Sequence, residues 1–365
     1  MKRILTGALA AVAVIVAGYG LQPAAPASAA VPMRSAADVA MRAPQAGPVL
    51  GVDVESDVNY SVATAETYGH RLVDYIRSGL HANSLGIIWD FCDPSFTSNR
   101  VGKCQRSLSS PAVRAVAEEA RQEGMTVQLR PLVRVGPPAN WDDPHLSWEG
   151  FIEPSNQANW FRNLLRTETP YLKILRSFSG SEFVVGTEPF YNAASPYWRW
   201  LLHKAHKVCH CSTIIASQTA RYRVGVIPSR RRAGVDWYAH LRIPSKSSQA
   251  RVTAAFEASM RMVPRRLLAR TSLDEEGIRA TSGAYRHPEE WSVNGPSDPE
   301  VQARYFTAAC QTVEHYHMRG IYFYVMPFND NPAHPSNFSA FFVKNAGSEA
   351  IQRCAQIFSA NRHHT

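Results

Sequence analysis

Eight short apolar runs, separated by stretches of helical spacing or by polar loops, constrain most what this chain can fold into. The runs are Val49–Val54, Leu85–Trp89, Thr126–Leu132, Glu182–Gly186, Thr213–Ala216, Gly234–Tyr238, Leu267–Leu273 and Ile321–Met326. Helical spacing is found at Thr64–Ser78, Ser110–Gly124, Asn159–Leu165, Tyr197–Val208 and Gln249–Met262, and from Ser297-Asp298-Pro299-Glu300 towards Gly320. A last helix is expected over Gly347–Ser359. Glycines at 79 and 124 and prolines at 111 and 299 are ordinary helix stops and starts. Before the sixth run, where a helix is due, the sequence is irregular and basic. Strands alternating with helices build a parallel sheet covered by helices. Eight such units favour a closed barrel over an open doubly wound sheet. The first run also lacks the G-x-G-x-x-G that a dinucleotide fold carries after its first strand. The fold expected is α/β: a single (β/α)8 TIM barrel with long βα loops, and no internal repeat.

The N-terminus is of a different kind. Lys2 and Arg3 precede an apolar stretch from Ile4 to Gly18, and Ala27-Ser28-Ala29-Ala30 offers small-residue cleavage sites before Ala30 or Val31. This is the pattern of a secretory signal peptide over residues 1–30. An uncleaved membrane anchor is the alternative, but the small-residue tail would have no role in one. Residues 31–48, rich in Ala, Pro and Met, read as a flexible tether. The barrel is expected over 49–360, a length normal for this architecture at roughly 250 residues plus insertions. No second segment is long and apolar enough to span a bilayer.

Export frames the charge and the cysteines. The chain carries a formal net charge of +9. Its basic residues are scattered apart from Arg221-Tyr222-Arg223 and Arg230-Arg231-Arg232, and no nucleic-acid motif accompanies them. Solubility is the simpler reading, with no nucleic-acid partner. No membrane association is expected after signal cleavage, and the expected state is a monomer. Six cysteines in an oxidising compartment imply disulfides. Cys92 and Cys104 share one loop, and Cys310 and Cys354 fall on two expected helices, so these are the preferred pairs. Cys209 and Cys211 remain, able to close only a small ring. With His203, His206 and His210 they also invite a metal reading. Zinc sites usually draw on two separated ligand pairs, and no second pair is near. No metal and no cofactor is therefore expected.

In a barrel of this kind, chemistry sits on loops at the C-terminal ends of the strands. The fourth run ends Gly186-Thr187-Glu188-Pro189 and the seventh Asp274-Glu275-Glu276-Gly277. Each places a carboxylate where an apolar strand meets its loop. Two acids facing each other across a barrel mouth suit glycosidic bond cleavage, in which one protonates the leaving oxygen while the other attacks carbon or activates water. A single strand-end glutamate would read as a rim acid in a surface ion pair. Aromatic residues at expected strand ends and loops supply faces for sugar rings: Trp89, Trp141, Trp148, Trp237, Tyr238, Tyr322 and Tyr324. For Tyr322 core packing is the preferred reading.

Several segments resemble glycoside hydrolase family 113, the β-mannanases. Phe183–Pro189 with Trp198 resembles the G-T-E segment that carries the acid/base. Glu275-Glu276-Gly277-Ile278-Arg279-Ala280, continuing to Pro288 and Trp291, is similar to the E-x-G-x-R segment of the nucleophile. Ala233–Tyr238 is similar to the sixth-strand segment in which a tyrosine approaches the nucleophile. Trp148-Glu149-Gly150-Phe151-Ile152 and Trp160-Phe161 resemble the loop and helix after the third strand. The likeness runs from about Val49 to Phe358.

The resemblance implies a secreted, retaining, endo-β-1,4-mannanase-like glycosidase acting on a polysaccharide or oligosaccharide. It implies Glu188 as general acid and then base, and Glu275 as nucleophile. Retention calls for the two carboxyls at about 5–5.5 Å, inversion for about 6.5–9.5 Å. Alternation along a strand lets only one of Glu275 and Glu276 face the axis, and the family pattern selects Glu275. Expected sugar contacts are Trp89, Arg130, Trp148, Thr187, Trp237, Tyr238, Arg279 and Tyr324, with Arg279 also placed to pair with an acid near the nucleophile. The chain departs from the family in three places. Arg130-Pro131-Leu132 stands where the family has lysine-proline-histidine, Asp236-Trp237 replaces smaller residues, and Tyr322 and Tyr324 lie in an eighth run where tryptophans are usual. Another β-glycanase or exo-β-glycosidase of the same clan is the nearest alternative. A catalytically silent carbohydrate-binding barrel would not require both acids, and a serine hydrolase would need a G-x-S-x-G elbow that the chain lacks.

Overall fold

A computed structural model describes residues 47–140, 144–223, 232–290, 295–333 and 346–360. The signal segment, the tether up to residue 46, Trp141, Trp291 and Arg230-Arg231 lie outside the described residues. Eight parallel strands form a closed barrel: β1 (Val49–Ser56), β2 (Ser84–Asp93), β3 (Thr126–Val135), β4 (Glu182–Thr187), β5 (Ser212–Gln218), β6 (Ala233–Asp236), β7 (Thr271–Glu276) and β8 (Gly320–Pro327). Each strand pairs with the next in sequence, and β8 returns to pair with β1. The helices are α1 (Val62–Asp74), α2 (Ser110–Gln122), α3 (Pro144–Ser147), α4 (Gln157–Leu172), α5 (Tyr197–Cys209), α6 (Thr219–Arg223), α7 (Gln249–Met260), α8 (Arg265–Leu268), α9 (Pro299–His315) and α10 (Ala346–Ala360). None of the described helices is long and apolar enough to cross a membrane.

Local chemistry accounts for most boundaries. Ser61, Ser109 and Ser248 cap α1, α2 and α7 by accepting a hydrogen bond from the backbone N–H three residues on. Pro299 opens α9 as expected, but the Asp298 side chain makes no capping hydrogen bond. The seventh strand was expected from Leu267 and begins at Thr271. Leu267 and Leu268 instead turn into α8, their N–H groups donating to the Pro264 carbonyl. The sixth strand ends at Asp236, two residues short of the expected Tyr238. The second and third strands run longer than expected, because they pair in unbroken register through Asp93 and Val135. Their polar ends had hidden this from a reading based on apolar runs.

Two disulfides join the preferred partners, Cys92–Cys104 and Cys310–Cys354, and the pair left open, Cys209 and Cys211, is also bonded. The Cys209–Cys211 ring closes over His210, whose φ of 56° ends α5. Both sulfurs of that run are thereby used, and the bond ties the last residue of α5 to the residue before β5.

The barrel interior holds carboxyls as well as aliphatic side chains. Asp53, Arg130, Asp236 and Asp274 are each fully buried. Two glycines make room for two of the acids. A Cβ at Gly86, the register partner of Asp53 on β2, would collide with the Asp53 carboxylate, and one at Gly234 on β6 would collide with that of Asp274. Tyr322 also packs inside, its ring over Gly51 and its hydroxyl 2.9 Å from Ser84 Oγ.

Candidate active site

The two expected carboxylates lie at the ends of strands that break register just before them, Glu188 directly after β4 and Glu275 within the last residues of β7. Val184 and Thr187 of β4 oppose Ile214 and Ala216 of β5, so β4 contributes one residue more than its partner. On β7 the extra residue falls at Asp274, between the pairs Val235–Leu273 and Asp236–Glu275. A bulge of this kind re-aims the side chains that follow it. It explains how Asp274 enters the barrel interior while the next residue, Glu275, also meets the interior guanidinium, against the simple alternation expected of an extended strand. Glu188 has a φ of 43°, in the left-handed region, and is held there by its N–H bond to the Ala216 carbonyl at 2.8 Å. Non-glycine residues in that region cost energy and concentrate at functional sites. Glu276 turns the other way and lies fully buried beside Tyr305 of α9.

Glu275 is held at both oxygens. Arg130 Nη2 lies 2.7 Å from Oε1, and the Tyr238 hydroxyl donates to Oε2 at 2.9 Å. Burial and the Glu275 charge push the Tyr238 phenol well up, so it remains a neutral donor. Arg130 has no exposed side-chain surface. It also donates to Asp236 Oδ2 at 2.8 Å and to the Asp274 carbonyl at 2.7 Å. One guanidinium cannot neutralise every acid around it. Asp53 and Asp236 are pushed well above the usual carboxylate range by burial, against the pull of Arg130, and Asp274 rises to about 7.

The surroundings of Glu188 differ in kind. Trp148 Nε1 donates to its Oε2 at 2.7 Å. Burial first, then the charges of Glu275 and Glu149, raise its carboxyl to about 8, while the Trp148 hydrogen bond and Arg130 oppose the rise. Glu149, next to Trp148 and buried, is itself raised to about 7, again chiefly by burial. At neutral pH Glu188 therefore keeps its proton, whereas Glu275 faces a cation and a phenol donor. Environments that differ in this way assign acid and base roles to a pair of carboxyls.

The remaining expected contacts divide. Tyr324 donates to Glu55 Oε2 at 2.8 Å, and Thr187 lines a cavity behind Glu188 with Glu149, Glu168 and Asn192. Arg279 is half-buried beyond the end of β7. Trp89 and Trp237 do not reach the mouth. Both are fully buried: Trp89 is stacked on Tyr171 of α4 at 4.7 Å, and the Trp237 indole donates to Ser259 of α7 at 3.0 Å. These two are core residues and present no face to a sugar. Arg130, too, touches Glu275 rather than an open groove.

A second cluster escaped the sequence reading. Arg134 at the end of β3 bonds Glu55 of β1 at 3.0 Å and Asp90 of β2 at 3.1 Å. Burial raises Asp90 to about 6. Residues 130, 132 and 134 of β3 share one face by alternation, so the family's histidine position, here the buried Leu132, falls between two arginines. On the Glu188 side an aromatic group was also missed. Phe151 and Phe190 lie 4.8 and 5.9 Å from Trp148, and exposed Tyr191 packs on both. The signal for the arginine cluster was available, since its members occupy strand ends like the two glutamates.

Comparison with known proteins identifies the fold and the family. No curated protein matches the sequence. Among solved structures, one of a GH113 β-1,4-mannanase complex covers 85% of this chain and 99% of its own, at 14% identity and a TM-score of 0.66. The GH113 β-mannanase AaManA from Alicyclobacillus acidocaldarius, in complex with ManMIm, covers 86% and 98% at 16% identity and a TM-score of 0.61. A GH5_18 protein from Streptomyces cattleya in complex with GlcNAc covers 88% and 82% at 12% identity and a TM-score of 0.53. At these identities the likeness shows a shared barrel. The family model of Glycoside Hydrolase Family 113 matches residues 95–333, well over half of the sequence and spanning both glutamates. The chain belongs to glycoside hydrolase family 113.

Proposed function

We propose that the protein is a secreted, retaining endo-β-glycosidase acting on a β-1,4-linked mannan or a related polysaccharide, with Glu188 as acid/base and Glu275 as nucleophile. The contrast between the two carboxyls carries this reading. Glu188 holds a proton at neutral pH, and Glu275 is paired with Arg130 and Tyr238. In the first step a Glu275 oxygen bonds to the anomeric carbon as the glycosidic C–O bond breaks, and Glu188 delivers its proton to the departing oxygen. In the second, Glu188 takes a proton from water as that water's oxygen displaces Glu275, which leaves as a carboxylate. Arg130 and Tyr238 orient the nucleophile, and Trp148 orients the acid. The aromatic group around Trp148, Phe190 and Tyr191 lies on the acid/base side, where a leaving-group sugar would stack. The basic and apolar N-terminal stretch of residues 1–30 and the three disulfides support export.

The test is hydrolysis of mannan, xylan, β-glucan and aryl β-glycosides by the native protein and by Glu188→Gln and Glu275→Gln, with the product anomer followed by NMR. Mannan cleavage with retention is expected. Each substitution is expected to lower kcat on mannan by about 10²-fold or more. Turnover surviving both substitutions, or an inverted product, would reject the assignment. Cleavage confined to xylan or β-glucan would replace the substrate and leave the mechanism standing.

A further inference from the structure

We propose that His240, His287 and Glu289 form a binding site for a single divalent transition-metal ion of the zinc class on the rim of the barrel. The three side chains come from two loops. His240 lies four residues past the end of β6, and His287 and Glu289 lie in the segment that follows β7. One potential ligand atom from each residue falls within 4.8 Å of the other two. A backbone hydrogen bond joins the two loops, Leu241 N–H donating to the Tyr285 carbonyl at 2.6 Å, and Ala239 N–H is anchored on the Tyr305 hydroxyl of α9 at 2.7 Å.

Two further observations point to an ion rather than a plain His–Glu pair. Glu289 Oε2, the shielded oxygen of a side chain 38% exposed, lies 3.0 Å from His240 Nε2 in an ion-pair contact that lacks hydrogen-bond geometry. A shielded acceptor without hydrogen-bond geometry calls for a further partner, and an ion held between the two atoms is one that fits. Ligands at the usual 2.0–2.1 Å from zinc stand about 3.3 Å apart, close to the 3.0 Å of the His240–Glu289 pair. In addition, His287 Nδ1 lies 3.4 Å from Glu290 Oε1, a contact that can orient the ring. Metal-bound histidines are commonly oriented by a carboxylate on their second nitrogen. Both imidazoles are more than half exposed, so rotamer adjustment can close the remaining gap and leave a water position open. Two imidazoles and one carboxylate select the zinc class over calcium or magnesium, which prefer all-oxygen sites. Bound there, the ion would tie the β6 loop to the β7 loop two residues beyond Tyr238, outside the catalytic pair.

The test uses the full chain after chelator treatment and removal of the chelator. Calorimetric titration with zinc chloride at pH 7.5 is expected to show one saturable site of micromolar affinity, and calcium chloride none. His240→Ala and His287→Ala should each weaken zinc binding about tenfold or more, and so should a shift to pH 5.5, where imidazoles take up protons. Cobalt(II) should give visible bands that both variants lose. The substituted side chains are exposed, and circular dichroism checks that the variants fold. No zinc binding by the native chain, or binding that is unchanged in the double variant and so belongs to other histidines, would overturn the proposal.

Discussion

The carboxyl of the half-buried Glu188 is raised to about 8, first by desolvation and then by the negative charge of Glu275 and Glu149 beside it. In the proposed mechanism Glu188 must carry its proton for the first step, so kcat/KM should fall as pH rises through about 8. Glu149→Gln removes one of the negative neighbours and lowers the Glu188 carboxyl, so the alkaline limb should move to lower pH. A pH profile on an aryl glycoside measures this, and a limb that stays in place or moves up would contradict the role given to Glu149. The two strand ends that carry Glu188 and Glu275 were legible because a polar residue at the end of an apolar strand is conspicuous, and the family pattern singled out Glu275 from its acidic neighbours. Trp148 and Tyr238 became legible through the family pattern, and the structure sets each against one of those glutamates. Trp89 and Trp237 misled for a plain reason. Strand-end position does not say whether a side chain faces the mouth or the surrounding helices, and theirs pack against α4 and α7.

Elements decide what such positions mean. The bulges in β4 and β7 shift the register by one residue, which brings Glu188 and Glu275 to one site although strand alternation alone does not specify it. Nothing in the apolar spacing marks a bulge, because it depends on the neighbouring strand. The same holds for β2 and β3, whose paired ends place Asp90 and Arg134 inside the ladder. The disulfides also act at this scale. By the loop-entropy argument, bonds closing loops of 44, 12 and 2 residues stabilise by about 4, 3 and 1 kcal/mol. Replacing Cys310 and Cys354 with alanine, which frees α10 from α9, should therefore cost the most in denaturant unfolding, and replacing Cys209 and Cys211 the least. An equal loss for all three pairs would show that loop closure is not what these bonds contribute.

At the scale of the whole molecule, the barrel carries more buried acid than its buried arginines neutralise. Glu168 on α4 is the clearest instance. It is fully buried, neither oxygen has a hydrogen-bond partner, and desolvation raises its carboxyl well above the usual range. The folded state then keeps a proton that the unfolded state releases above about pH 4.5. The unfolded chain binds fewer protons, so stability falls as pH rises through that window, by about 1 kcal/mol per pH unit from this group. Glu168→Gln should match the native protein near pH 4.5 and have the higher Tm at pH 8. A variant with no advantage at pH 8 would show that Glu168 is not desolvated as described.

The sequence by itself determined the barrel, two of the three cysteine pairs and the presence of carboxylates at the ends of the fourth and seventh strands. Each of these is written in local terms: periodicity, spacing along the chain, and residue type at a boundary. Tertiary structure alone decided which acid is protonated and which is paired. Those properties come from groups far apart in sequence, with Arg130 on β3 meeting Asp236 on β6 and Glu275 on β7, and with Glu149 and Trp148 brought from a loop to Glu188. Charge acts through space and burial, and neither distance in space nor exclusion of water is encoded at a single position of the chain.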